Sequence, residues 1–202
     1  MELIEKDKND GHGVASIGVL DAICERRAVR HYSPRTVDEN TVKVLLEYAV
    51  QAPSAVNSQP WSFVVVQNSK LLKEISDEAK KILTENSRWK SEDHHSERFL
   101  DPSFNIFYNA TTLIIVCADR EGLVPEADCY LASQNLMLAA YAMGLGSCPI
   151  GLAWEVLRTD SMKTKLGIKH GHFPVLPIIL GYASEPSAKT SREAPQVLNW
   201  IR

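Results

Sequence analysis

The chain lacks most of the features that would announce a function. Its apolar runs at 113–118 and 175–180 are far too short to cross a bilayer, which takes about 20 residues. The opening MELIEKDKNDGHG is charged and carries no apolar h-region, so secretion is not expected and the cytoplasm is. An excess of one charge is missing too: 22 Lys+Arg against 25 Asp+Glu leave a net charge of −3, unlike a nucleic-acid binder. The four cysteines, Cys24, Cys117, Cys129 and Cys148, lie far apart without C-x-x-C or zinc-like spacing, so reduced thiols and no metal are expected. Neither a Gly-x-Ser-x-Gly elbow nor a Walker loop occurs. GLGSCPIG at 144–151 fails as a dinucleotide fingerprint, because a helical pattern precedes it and Pro149 stands where the third glycine belongs. His94-His95 and His170/His172 come without companion ligands. No side chains are arranged for hydrolysis, so any chemistry points to a cofactor.

What is present describes one α+β domain. At 202 residues with 45% hydrophobic content, the chain can bury one substantial core but is short for two. Residues 1–15 are expected to be a flexible lead-in and 16–202 a single domain. Helical periodicity covers 16–26 (Ile17, Leu20, Ile23), then a segment capped by Asp38 and carrying Val42, Leu45, Leu46 and Ala49, and 69–85 through Leu72, Ile75, Ala79 and Leu83. Further helices are expected at 126–143 and 155–166, and strands at 61–67, 113–118 and 173–181. LMLAAYAM, inside the longest helix, is apolar all round and predicts burial on every side, with Gly144 and Gly146 as its stop. Residues 84–103 lose periodicity, gain charge and read as a mobile flap. The polar tail ends in Val197, Leu198, Trp200 and Ile201, which need a surface to cover them. A partner subunit is the economical choice, and docking on the same chain is the alternative.

Several segments could carry chemistry. QAPSAVNSQPW at 51–61 packs Gln51, Ser54, Asn57, Ser58 and Gln59 between two prolines, more hydrogen-bonding groups than a surface loop needs or a core could bury unpaired. CERRAVRHYSPR at 24–35 places Arg26, Arg27, Arg30 and Arg35 close together in a slightly acidic chain. It reads either as a solvated basic turn or as a local anion site, since guanidinium groups chelate phosphate in pairs. AKTSR at 188–192 adds Lys189 and Arg192, beside two hydroxyls. The segment after Gly146 offers a glycine-permitted backbone with N–H groups at Ile150, Gly151 and Leu152 expected to be free.

In order, ERRAVRHYSPR, APSAVNSQPWSFVVV, ASQNLMLAAYAMGLGSCPIG, PVLPIILGYASEP and the basic tail resemble the FMN-dependent nitroreductase family of NAD(P)H oxidoreductases from about residue 16 onward. The resemblance implies a central mixed or antiparallel sheet surrounded by helices, in an interlocked homodimer with an exchanged C-terminal arm. It implies FMN as cofactor and NADH or NADPH as donor, with flavin N5 rather than a side chain carrying electrons to a small nitroaromatic or quinone acceptor in alternating half-reactions. Arg26 and Arg27 would lie along the phosphate and ribityl chain, with Ala28 between them and Arg30, which would stand at the pyrimidine end of the ring. Pro53, Ser54, Ala55, Asn57 and Gln59 would reach the flavin from the other subunit. Pro149, Ile150, Gly151 and Leu152 would run beside the ring, and Lys189 and Arg192 would close on the phosphate. Family members often carry Ser at the position of Ala28, and some carry a second Ser at that of Ala55, so this chain lacks those hydroxyls. A further contact expected between residues 84 and 105 stays unassigned between Asn86 and Asn105. Trp89, Phe99, Phe104 and Phe107 are candidates to shape acceptor choice, and the two flanking phenylalanines are equally candidates for the core. A reductive dehalogenase, a flavin-destroying enzyme and a non-catalytic FMN binder are the alternatives on this scaffold.

Overall fold

A strand buried on every residue must be covered on both faces, and TLIIVCA is such a strand. A computed structural model describes residues 17–85 and 99–202 and places this run as β2 (Thr112–Ala118) inside a four-stranded sheet. The order is β1 (Trp61–Val66), β2, β4 (Phe173–Gly181), β3 (Gly146–Pro149), with every neighbouring pair antiparallel. A lone parallel bridge joins Ala28 to Ser147 outside the named strands. Two prolines inside β4 would normally argue against an interior strand. A bulge accommodates the first: Val116 faces Leu176 while the next residue, Cys117, faces Pro174, and Pro177 stays in register with Ile115. Expectations about residues 1–16 and 86–98, including the lead-in, most of the flap, Asn86, Trp89 and His94-His95, lie outside the described residues.

Alternation along β2 divides the core. Leu113, Ile115 and Cys117 face one cluster with Ile75 and Ala79 of α3 (Ser69–Glu85), together with Ile106 and Phe107. Ile114, Val116 and Ala118 face the other, built with Val42 and Leu45 of α2 (Glu39–Ala49) and Leu136 and Ala140 of α4 (Leu123–Ala142). Helices therefore cover both faces of the sheet. Asp38 caps α2 as expected, its carboxylate accepting from Thr41 N at 2.9 Å.

Four expectations are modified. The helix expected over 16–26 is α1 (Val19–Glu25), and in a single chain only Ala22 of it is buried. The apolar end of α4 is covered on one side and half-open on the other at Leu138, Ala139 and Tyr141. The helix expected at 155–166 divides into α5 (Trp154–Leu157) and α6 (Asp160–Lys165), because Thr159 starts a new N-terminus by accepting from Met162 N. GSCP, within a segment read from sequence only as glycine-permitted backbone, is the short strand β3. The tail is exposed from Ala183 to its end and does not dock its apolar residues on its own chain: Leu198 is 97% exposed. Among the described residues no helix is long and apolar enough to cross a membrane.

Candidate functional site

Beyond α1 the arginine segment runs along β3. Val29 N donates to Ser147 O at 3.1 Å, and Ser33 N donates to Tyr182 O at 2.8 Å, so the segment is tied down at both ends. Two glycines permit the approach. A Cβ on Gly146 would meet three Val29 carbons at 2.7–2.9 Å, and one on Gly181 would meet Tyr32 Cδ1 at 2.9 Å. Gly146 thus serves backbone packing rather than stopping α4. That stop falls at Gly144, where φ is +77°.

The packing encloses a cleft of about 370 Å³ lined by Arg26, Arg27, Gly146, Ser147 and Lys189 among others. Three of the six buried side-chain polar atoms without a partner among the described residues belong to residues lining it: Arg26 Nη1, Arg27 Nε and Ser147 Oγ. Buried donors left unmade are costly, so their gathering in one place calls for an acceptor. Burial, reinforced by the charges of Arg27 and Arg192, lowers the Arg26 pKa from its ordinary value. Arg192 is therefore within electrostatic reach of Arg26 although 166 positions separate them in the 202-residue chain. Lys189 Nζ stands 3.7 Å from Glu25 Oε2, next to the same arginines. The two ends of the chain thus bring Arg26, Arg27, Lys189 and Arg192 together. Arg27 is partly engaged, its Nη1 donating to Cys24 O and Arg26 O at 2.7 and 2.8 Å. An adjoining cleft of about 390 Å³ continues past Ala28 and Arg30 toward Thr190.

A larger cavity of about 730 Å³ lies elsewhere, between α3 and residues 102–111. None of the unpartnered buried side-chain atoms found among the described residues belongs to its lining, and the Lys73–Asp77 ion pair there is self-neutralised. Size therefore favours one place and unmet chemistry another, and the chemistry is the better guide to an anionic ligand.

The 53–59 loop does not line the arginine cleft of its own chain. It is held in a left-handed conformation that Asn tolerates but Val56 and Gln59 disfavour: Val56, Asn57 and Gln59 have φ of +47°, +56° and +47°. For a β-branched residue this region costs roughly 1–2 kcal/mol, yet the Val56 side chain is 99% exposed and gains nothing from its own chain. The restraint comes from Asp128, a carboxylate buried on α4 that accepts from Ala55 N at 3.2 Å. Ser54 Oγ accepts from Gln59 N at 3.0 Å, so part of its hydrogen-bonding capacity shapes the loop itself. Pro53, Ala55, Asn57 and Gln59 all lie exposed.

Arg30 lies over the Tyr108 ring, 5.9 Å from its centroid, and Phe104 meets that ring edge-on. Phe107 and Phe99 are core residues, leaving Phe104, half-buried, as the described phenylalanine nearer the surface. Pro149 is exposed at the end of β3. Ile150 N donates to Pro177 O at 2.9 Å, so that N–H is taken, contrary to expectation. Gly151 and Leu152 instead open a 3-10 turn (Gly151–Ala153), where the first N–H groups have no partner within the turn. Burial raises the Cys148 pKa and pushes those of Cys117 and Cys129 up to about 12, so these are neutral packing thiols rather than nucleophiles.

The model of the nitroreductase family matches residues 23–182, a span holding most of these features. The chain belongs to the nitroreductase family. A Methanothermobacter thermautotrophicus relative named for NADH dehydrogenase and NAD(P)H nitroreductase is 31% identical over 176 residues, covering 85% of this chain and 81% of the relative. A nitroreductase from Bacteroides fragilis, solved with bound FMN, superposes with a TM-score of 0.76 at 28% identity, covering 91% of this chain and 97% of that one. An iodotyrosine deiodinase from Thermotoga neapolitana is 25% identical over 179 residues, with 86% of this chain and 93% of the relative covered. Within this nitroreductase-family fold, sequence reasoning missed Ser147 and Asp128. Asp128 left a trace, an acidic residue beside Cys129 and Ala132 on the buried side of a helix. Ser147 left none, because a serine in a four-residue strand looks like any other.

Proposed function

We propose that this chain is an FMN-dependent oxidoreductase that takes electrons from NADH or NADPH and passes them to a small organic acceptor, with nitroaromatics and quinones as the first classes to try. The observation that carries this reading is the cleft where unpartnered Arg26, Arg27 and Ser147 atoms gather with Lys189, while Arg192 stands within electrostatic reach of Arg26. FMN ends in a phosphomonoester with a charge of roughly −1.5 to −2 and three acceptor oxygens, which fits that donor set. Bound FMN supplies a two-electron carrier that is charged by the nicotinamide and discharged by the second substrate.

The residues do the rest. Arg26, Arg27, Lys189 and Arg192 hold the phosphate, and Ala28 leaves room beside the ribityl chain. Arg30 sets a positive charge at the pyrimidine edge, where negative charge builds on reduction. Pro149, Ile150, Gly151 and Leu152 border the ring, with Gly151 and Leu152 offering backbone donors. Pro53, Ser54, Ala55, Asn57 and Gln59 reach the flavin of a second copy. That placement accounts for a strained, outward-facing loop that lines no arginine cleft of its own chain. Exposed Val19, Leu20 and Ile23 on α1 and Val197, Leu198, Trp200 and Ile201 on the tail supply apolar surface for such a homodimer. Reductive dehalogenation is the second reading, favoured by the deiodinase relative.

An absorbance spectrum recorded before and after anaerobic addition of NADH or NADPH tests the proposal. The expected result is a yellow protein that bleaches and regains colour on adding a nitroaromatic or a quinone. Recovery with a halogenated aromatic and neither of those would move the reading to dehalogenation. Colour without bleaching would leave a binder only, and a colourless protein indifferent to added FMN would refute the proposal.

A further inference from the structure

We infer that Ser147 is a ligand-binding residue whose hydroxyl donates to the phosphomonoester end of the bound molecule. The inference rests on the reading of the arginine cleft as an FMN site. Ser147 is 2% exposed, in a strand that β4 covers on one side and the arginine segment on the other. Its backbone is used, since its carbonyl accepts from Val29 N at 3.1 Å, but its Oγ has no partner among the described residues. A serine hydroxyl buried this deeply ordinarily turns to a nearby carbonyl, as Ser133 Oγ does toward Cys129 O at 2.7 Å. Ser147 instead lines the cleft that also holds the unpartnered Arg26 Nη1 and Arg27 Nε. A lone unsatisfied hydroxyl could be an accident of packing. One that shares a cleft with two unsatisfied guanidinium nitrogens belongs to a donor set, and all three suit the same acidic oxygens. The parallel bridge adds a geometric handle: Ala28 and Ser147 sit side by side, so their Cβ atoms point to the same face. A hydroxyl moved from position 147 to position 28 would stand beside the place it left.

The experiment uses the full-length protein, stripped of flavin and titrated with FMN by flavin fluorescence, with thermal melts of the stripped and loaded forms. Wild type, Ser147→Ala and Ala28→Ser/Ser147→Ala are compared. Loss of one hydrogen bond to a charged group should weaken FMN binding about tenfold in Ser147→Ala. Its stripped form should melt no lower than wild type, because the hydroxyl has no partner there to lose. The double variant should recover part of the affinity. Equal FMN affinity in wild type and Ser147→Ala would overturn the inference while leaving the functional reading intact. So would an equal fall in both melts, which marks a merely structural serine. A wild-type protein that takes up no FMN would overturn both.

Discussion

Arg26→Met should move the empty and the loaded protein in opposite directions. Without ligand, Arg26 is half-buried, its Nη1 is sealed from solvent without an acceptor, and Arg27 and Arg192 press on it with like charge. An unsatisfied buried donor costs about 1–3 kcal/mol. The low end applies, because the rest of the guanidinium is partly wet and water screens the repulsion. Methionine keeps the apolar stem that packs along the cleft. The substitution should therefore stabilise the flavin-free protein by about 1 kcal/mol, or raise its Tm by roughly 2–4 °C for a chain of this size. With FMN the sign reverses. Charge-assisted bonds contribute about 1.5–3 kcal/mol each, so losing one should weaken FMN binding by about 10–100-fold. The affinity that remains should depend less on salt, since one cation fewer meets the phosphate. Paired thermal melts and flavin-fluorescence titrations at two ionic strengths read all three quantities. A lower Tm for the stripped variant would show that Arg26 has structural partners of its own, and an unchanged FMN affinity would remove it from the site.

Asp128→Ala should loosen the 54–59 loop: the Ala55 N–H loses its acceptor, at a cost of about 1–3 kcal/mol, and only the bonds within the loop, Asn57 N to Ser54 O, Ser58 N to Ala55 O and Gln59 N to Ser54 Oγ, are left to hold Val56. Hydrogen exchange at 54–59 should speed up and FMN affinity fall, with Asp128→Asn milder because it keeps an acceptor oxygen; unchanged exchange would show that the loop holds itself. Gly146→Ala should cost about 1–3 kcal/mol by forcing a methyl within 2.7 Å of Val29, whose χ1 is stiff. Its Tm should drop, and adding Val29→Ala should restore part of it; a double variant no better than the single would place the strain elsewhere. Truncation after Glu185 removes Lys189, Arg192 and the apolar end, and sedimentation with flavin titration should show a weaker dimer holding less FMN. A tight, fully loaded dimer without the tail would count against the tail's role.

The strongest periodicities translated directly into structure. The stripe Leu72, Ile75, Ala79, Leu83 is the buried side of α3, and 112–118 is a central strand, because burial of apolar surface acts on every residue of a regular pattern. The gathering of arginines near the start and cations near the end was legible as composition. Their meeting was not, since no local signal says that residue 192 lies within electrostatic reach of residue 26.

By itself, then, the sequence determined where the longer helices lie, three of the four strands and the list of groups able to meet an anion. Those follow from short-range pattern and from the chemistry of each side chain. Only the tertiary structure decided which groups share a cleft, that Gly146 and Gly181 leave room for the arginine segment to close on the sheet, that the Ser147 hydroxyl is buried without a partner among the described residues, and that Asp128 holds the Ala55 N–H. The same step showed Ile150 N–H occupied and the tail unable to cover itself. The reason is physical: whether a polar group is satisfied depends on neighbours far away in the chain, and no window of sequence contains them.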